Sequence, residues 1–134
     1  MAELVFFYGT LMTPFNRTAR LQLDRQLRFR GRGKITAALF DLGIYPAAVP
    51  SSDGYVTGEV YEMTHPSSVL RALDELEGYR AEEPEASLYT RRLTPVHIEG
   101  EAMPVAAWAY FYNAPLGRAE RIPSGDYLEY LKVR

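Results

Sequence analysis

The hydrophobic pattern opens on an unbroken apolar run, Leu4-Val5-Phe6-Phe7, which passes through Tyr8 into Gly9-Thr10-Leu11-Met12. Such a run predicts a fully buried strand that emerges at a surface where Gly9 turns the chain. A glycine there can take positive φ and lets a ligand approach the backbone closely. Successive N–H groups in such a turn can converge on an anion. The same nine residues also describe an ordinary buried strand that ends in a glycine turn.

Beyond a turn at Thr13 to Asn16, the residues from Arg17 to Gln26 suggest a short helix, with Asn16 as its N-cap. From Leu27 the period becomes two. Leu27, Phe29, Gly31, Gly33, Ile35, Ala37 and Leu39 fall on one face, and Arg28, Arg30, Arg32, Lys34 and Thr36 on the other. This predicts one long antiparallel strand, bent or bulged at its glycines. After a turn at Asp41 to Pro46 comes a short apolar stretch, Ala47 to Val49. Ser51-Ser52-Asp53-Gly54 then reads as a hairpin signal before a strand over Tyr55 to Met63. Thr64 and Pro66 open a helix that runs to Glu77, with Gly78 at its C′ position. A polar loop from Ala81 to Ser87 leads to a strand over Leu88–Glu99, in which Pro95 marks an edge. A turn at Gly100-Glu101 leads to a strand over Met103–Tyr112. Asn113 to Gly125 reads as loop, and Asp126 to Leu131 as a last helical turn. Strands, one good helix and strands again make an α+β domain with a closed or curled mixed sheet.

The Pro66–Glu77 helix carries an anomaly. Val69, Leu70, Leu73 and Leu76 form its apolar stripe, and Glu77 lies on the same stripe, four residues beyond Leu73. Asp74 lies at the margin. A carboxylate aimed at a core is costly unless it is paired, hydrogen-bonded or protonated. At a helix C-terminus it also meets unpaired carbonyls. Both effects raise its pKa, which suits general acid–base work. The pattern leaves three placements open: an inward catalytic group, a frayed helix end in water, or an ion pair with Arg91 or Arg92.

Composition narrows the choice. The 134 residues fit a single domain spanning 1–134. A net charge of -2 gives no global attraction to nucleic acid or to an anionic membrane. The basic stripe Arg28 to Lys34 is read as a solvated strand face, because acidic residues are plentiful elsewhere and no aromatic residue shares its face. The absence of cysteine removes thiolate nucleophiles and zinc–sulfur sites. His65 and His97, in different elements, do not make a metal site. No cofactor or metal is expected. The opening apolar run is too short and unflanked to be a signal peptide, so a cytoplasmic protein is expected.

Tyr8-Gly9-Thr10-Leu11 on the first strand, Asp74-Glu75-Leu76-Glu77-Gly78-Tyr79 at a helix end and Tyr89-Thr90-Arg91-Arg92 on a strand together resemble the gamma-glutamylcyclotransferase-like family. Tyr45-Pro46-Ala47, Gly58-Glu59-Val60-Tyr61 and Ser124-Gly125-Asp126-Tyr127 resemble it too, in the same order along nearly the whole chain. The resemblance implies a small mixed β-barrel with flanking helices. It implies a pocket in which Tyr8, Gly9, Thr10 and Leu11 bind the glutamyl part of a substrate, with Glu77 as general acid–base. Thr10-Leu11 is more similar to the gamma-glutamylamine and avirulence-induced-protein branch than to the glutathione-related cyclotransferases, which commonly carry Ser-Asn there. Tyr89 and Arg91 share a strand face and are candidates to line the pocket or simply to pack.

The implied reaction fits the residue inventory. The substrate's α-amine attacks its own γ-carbonyl, giving 5-oxoproline and a free amine, so no Ser, Cys or metal-bound water is required. Orientation of such a pair contributes roughly 7–11 kcal/mol in the best cases. The partner expected is a small gamma-glutamyl compound, with no nucleic acid and no membrane. A non-catalytic module holding a small carboxylate or amino-acid-like ligand at Tyr8 to Leu11 is the alternative on the same scaffold.

Overall fold

The computed structural model describes residues 3–133. Among these described residues, eight strands and three α-helices follow one another. The strands are β1 (Glu3–Phe7), β2 (Leu27–Thr36), β3 (Ala38–Asp41), β4 (Pro46–Val49), β5 (Tyr55–Met63), β6 (Tyr89–Ile98), β7 (Val105–Tyr112) and β8 (Glu120–Arg121). The helices are α1 (Arg17–Arg20), α2 (Pro66–Glu77) and α3 (Tyr127–Val133). Five strands close a barrel in the order β1-β5-β2-β6-β7, and β4-β3-β8 form a second sheet. The barrel is mixed: β1 runs antiparallel to β5 but parallel to β7, where Val5 faces Trp108. The α+β barrel with flanking helices expected from the sequence is the architecture observed.

The closed barrel explains the opening apolar run. β1 has neighbours on both edges and protein on both faces, so Leu4, Val5, Phe6 and Phe7 are all buried. Val56, Val60, Val96, Ala107 and Ala109 complete the same core. Gly58 in β5 is a packing necessity: a Cβ there would lie 2.2 Å from the Phe7 carbonyl oxygen and 2.7 Å from Phe6 Cζ.

The long strand expected from Leu27 to Leu39 is two strands in two sheets. The register slips between Phe29 and Gly31, where an extra residue bulges out. A bulge turns the side chains before it to the opposite face from the alternation counted after it. Phe29 is therefore 56% exposed while Ile35, Ala37 and Leu39 are buried. Two of the basic residues, Arg30 and Arg32, are met by acids. Arg30 donates to Glu101 from Nε (3.2 Å) and Nη2 (2.9 Å), and Arg32 lies 3.5 Å from Asp126.

Other local readings are corrected by tertiary context. Ser51–Gly54 is not a hairpin: β4 pairs with β3 and β5 pairs with β1 and β2, so the turn carries the chain between sheets. The helix expected over Arg17–Gln26 shrinks to α1 followed by a 3-10 turn at Asp24–Gln26. Asn16 sits in the left-handed region and makes no side-chain cap. At α2 the N-cap is His65 rather than Thr64, again without a side-chain bond. The loop expected over Asn113–Gly125 contains β8. Pro95 behaves as an edge residue locally, because β6 pairs with β2 only at Ile98 and His97, beyond the proline. Asp126 caps α3, its Oδ1 accepting from Glu129 N at 3.1 Å. Among the described residues no helix is long and apolar enough to cross a membrane.

Candidate active site

One end of β1, the start of β4 and the C-terminus of α2 surround a cavity of about 280 Å³. Its floor is the chain from Phe6 to Leu11, and Glu77 and Leu76 come from the helix end. Tyr45 and Pro46 come from the second sheet, and Tyr89, Tyr110 and Tyr112 from the β6–β7 hairpin. Arg17 and Glu77 are the charged residues among the described lining.

The floor is a turn, closed by Met12 N donating to Gly9 O at 3.0 Å. Its shape is fixed from below by Glu59, a buried carboxylate on β5. Glu59 Oε1 accepts from Thr13 N (2.8 Å), from Thr13 Oγ1 (3.0 Å) and from the Tyr61 hydroxyl (2.9 Å). Among the described residues, the N–H groups of Thr10 and Leu11 donate to no protein acceptor. Two adjacent unspent donors on a cavity wall are what an anion-binding turn requires. Gly9 does not take the positive φ expected of it. Glycine is required for another reason: a Cβ would lie 2.8 Å from Pro46 Cγ.

Glu77 reaches the cavity because α2 ends where it does and is clamped there. Gly78 takes φ 67°, and the Tyr79 amide bonds back to Asp74 O at 2.8 Å, closing the helix one residue after Glu77. One turn earlier, Asp74 anchors the helix to the barrel. Arg91 Nε and Nη2 donate to its two oxygens at 2.8 and 3.1 Å, and the Tyr110 hydroxyl donates at 2.6 Å. The Arg91 guanidinium also stacks 4.5 Å from the Trp108 ring centroid. The arginine on the β6 strand therefore pairs with Asp74, not with Glu77. Arg91 is not among the residues that line the cavity, so of the two placements open to it, lining the pocket or packing, it takes the second.

Tyr8 and Tyr89, also expected at the site, do line the cavity. Their hydroxyls are already engaged. Tyr8 donates to Tyr110 O at 2.7 Å and accepts from Ala48 N at 3.2 Å, while Tyr89 donates to Pro46 O at 3.2 Å. These phenols stitch the barrel to the second sheet and present ring surface to the cavity. Burial, followed by neighbouring acidic groups including Glu77, pushes both phenols well above the usual tyrosine range.

The Glu77 carboxyl is half-buried, and none of the described residues hydrogen-bonds it. Desolvation pushes its pKa up from 4.5 to about 7, and Arg17 opposes that rise by less. Burial penalises the ionised form and leaves the neutral acid untouched. The result is a carboxyl that exchanges a proton near neutrality. Arg17 is a charged cavity residue that the sequence pattern does not reveal. The sequence places it in the first turn of a short helix; in three dimensions its Nη1 donates to Thr10 Oγ1 at 2.6 Å and it joins the cavity wall. Tyr110 and Tyr112 carry no site signal in the sequence, because aromatic residues at alternating strand positions look like core, and Tyr45 reads as a turn residue. Residues 124–127 do not line the cavity; Ser124 Oγ accepts from Asp126 N at 3.2 Å and Asp126 caps α3.

The closed barrel thus carries, on one cavity wall, a turn with two unspent amides and a carboxyl that titrates near neutrality. Residues 5–129 match the family described as "Gamma-glutamyl cyclotransferase, AIG2-like", and the chain belongs to that family. It is 37% identical over 91 residues to the gamma-glutamylcyclotransferase family protein YtfP of Escherichia coli, covering 68% of this chain and 67% of that protein. The solution structure of YtfP superposes with a TM-score of 0.65 at 30% identity, over 95% of this chain and 97% of that one. An AIG2-like protein from Mus musculus gives 0.66 at 27% identity, over 85% and 80%. YkqA from Bacillus subtilis gives 0.71 at 26% identity; the match takes in 99% of this chain but only 42% of YkqA.

Proposed function

We propose that this chain converts a gamma-glutamyl amine or amide into 5-oxoproline and a free amine, with Glu77 as the general acid–base residue. The observation that carries the reading is the Glu77 carboxyl, unpaired among the described residues and raised to about 7, on the same cavity as the Tyr8–Leu11 turn.

The chemistry follows from the wall. The substrate's α-carboxylate sits against Arg17, and its α-ammonium faces Glu77. Ionised Glu77 takes a proton from the ammonium. The freed nitrogen attacks the γ-carbonyl carbon, closing a five-membered ring, and the oxyanion is held by the backbone donors of the turn. Collapse breaks the bond to the leaving nitrogen, which takes its proton from Glu77, and the second proton that the ring nitrogen sheds as it becomes the lactam N–H passes to the released amine, which departs as its ammonium ion. One C–N bond forms, one breaks, and the glutamate ends as it began. A pKa near the working pH is what one group needs to act as base and then acid.

Incubating the purified protein with a panel of gamma-glutamyl compounds and measuring 5-oxoproline tests the reading. Turnover that disappears in Glu77→Gln is expected. Binding of gamma-glutamyl compounds with no 5-oxoproline from any of them would leave a ligand-binding module and refute the enzymatic reading.

A further inference from the structure

Among the described residues Glu59 is the one charged side chain that is buried, at 6% exposure. A buried carboxylate is costly unless hydrogen bonds compensate it. Here the compensation falls on a single oxygen. Oε1 meets the Thr13 amide at 2.8 Å, the Thr13 hydroxyl at 3.0 Å and the Tyr61 hydroxyl at 2.9 Å. Glu59, Thr13 and Tyr61 all lie outside the cavity lining. The charge therefore touches no ligand; what it holds is the chain.

The backbone of Glu59 faces Phe7, the last residue of β1, in the barrel ladder. Its side chain holds Thr13, the first residue past the turn. One residue of β5 thus grips both the entry and the exit of the Tyr8–Met12 segment. Inside that segment the backbone closes on itself once, from Met12 N to Gly9 O at 3.0 Å. The unspent amides of Thr10 and Leu11 lie between the two grips, so their aim depends on where Thr13 is pinned. Charge-assisted bonds are roughly twice as strong as neutral ones, so a carboxylate pins that point better than an amide or a hydroxyl in its place.

Resting on the proposed reaction, in which the turn holds the oxyanion, we infer that Glu59 is a positioning residue: through Thr13 it aims the Thr10 and Leu11 amides at the oxyanion. The neutral γ-carbonyl of the bound substrate draws little on that alignment. The tetrahedral oxyanion depends on it, because aligned donors count most where charge develops. Loosening the grip therefore lowers kcat. KM, set by Arg17 at the α-carboxylate and Glu77 at the ammonium, stays nearly as it was. A residue that only holds the barrel together would change the folded fraction and leave both constants per folded molecule unaltered.

The test uses Glu59→Met, which keeps the length of the side chain and removes the acceptor, and Glu59→Gln, which keeps an oxygen for the Thr13 amide. Thr13 is exposed, so water satisfies its amide in the methionine variant. With the folded fraction measured by circular dichroism, kcat for gamma-glutamyl compounds should fall about 10²-fold in Glu59→Met and by less than about tenfold in Glu59→Gln, with KM within about twofold of the parent in both. Tyr61→Phe removes one of the bonds to Oε1 and leaves the ring against Phe7. It should lower kcat severalfold, and it carries the same test if both Glu59 variants fail to fold. An unchanged kcat per folded molecule, or a higher KM at unchanged kcat, would overturn the inference while leaving the cyclotransferase reading intact. If the parent yields no 5-oxoproline, the enzymatic reading fails, and calorimetry with two ligands decides the inference alone. Glutamine carries a neutral γ-amide; 2-amino-4-phosphonobutanoate carries a tetrahedral anion in the same place. A loss of phosphonate affinity of about tenfold or more in Glu59→Met or Tyr61→Phe, with glutamine affinity held within about twofold, supports it. Equal loss of both, no loss, or no binding of the phosphonate by the parent overturns it.

Discussion

Replacing Glu77 with Gln removes an ionisation while keeping the shape of the side chain, so its effect on stability can be worked out with a sign. In the fold the carboxyl titrates at about 7, against 4.5 for an ordinary glutamate. A raised carboxyl pKa means the folded protein holds the proton more tightly than the unfolded chain. Folding is therefore unpenalised below pH 4.5, loses stability as pH rises from 4.5 towards 7, and stays at the lower level above it. At about 1.36 kcal/mol per pH unit, the full cost of the ionised form is about 3 kcal/mol. None of the described residues hydrogen-bonds the carboxyl, so the amide forfeits little in exchange. Glu77→Gln should thus be neutral at pH 4.5 and more stable than the parent by up to about 3 kcal/mol at pH 8.5, or roughly 10 °C in Tm for a chain of this size. Thermal unfolding of both proteins across that range measures it. A difference that does not change with pH, or a variant less stable at pH 8.5, would mean the carboxyl is solvated or paired, and the case for Glu77 as a proton shuttle would go with it. The same substitution should lower 5-oxoproline formation by about 10²–10⁴-fold, so one change would trade activity for stability.

Arg17→Met removes the cation that restrains the Glu77 pKa; the midpoint of the acid limb of the kcat/KM–pH profile should move above 7, with a higher KM, and an unmoved midpoint would exclude Arg17 from the site's electrostatics. Asp74→Asn weakens charge-assisted bonds to Arg91 and Tyr110 and should cost about 1–3 kcal/mol in denaturant unfolding, with activity falling further than stability because α2 carries Glu77. Gly58→Ala drives a methyl into the Phe7 carbonyl and should destabilise by about 3 kcal/mol or more, read as a loss of soluble folded protein, whereas Gly43→Ala, with open space around it at φ 104°, should cost only its backbone strain.

The resemblance carried by Tyr8–Leu11, Asp74–Tyr79 and Tyr89–Arg92 and the helical wheel of Pro66–Glu77 were enough to bring the turn and the carboxyl to one place. β1, β5, α2 and most of β6 and β7 were legible because their apolar residues recur at the period of the element and are bounded by Gly or Pro. The failures lie where one residue changes a count. A single bulge at Arg30 inverts the faces of Leu27 and Phe29, and no local composition distinguishes a bulged strand from a straight one. Ser51–Gly54 has hairpin chemistry, but whether the strands on either side pair is decided by which partners the barrel leaves available.

By itself the chain determined that apolar stretches of given period must be covered, that Gly78 ends α2 one residue past a misplaced carboxylate, and that no cysteine chemistry is possible. These are consequences of side-chain type and spacing, and they survive any arrangement of neighbours. Only the tertiary structure decided that Arg91 belongs to Asp74, that Arg17 belongs to the cavity, and that Gly9 answers to Pro46 rather than to its own φ. Each depends on what lies across space from a residue far away in sequence: desolvation, ion pairing and steric contact are properties of the surroundings, which a closed barrel and a second sheet create.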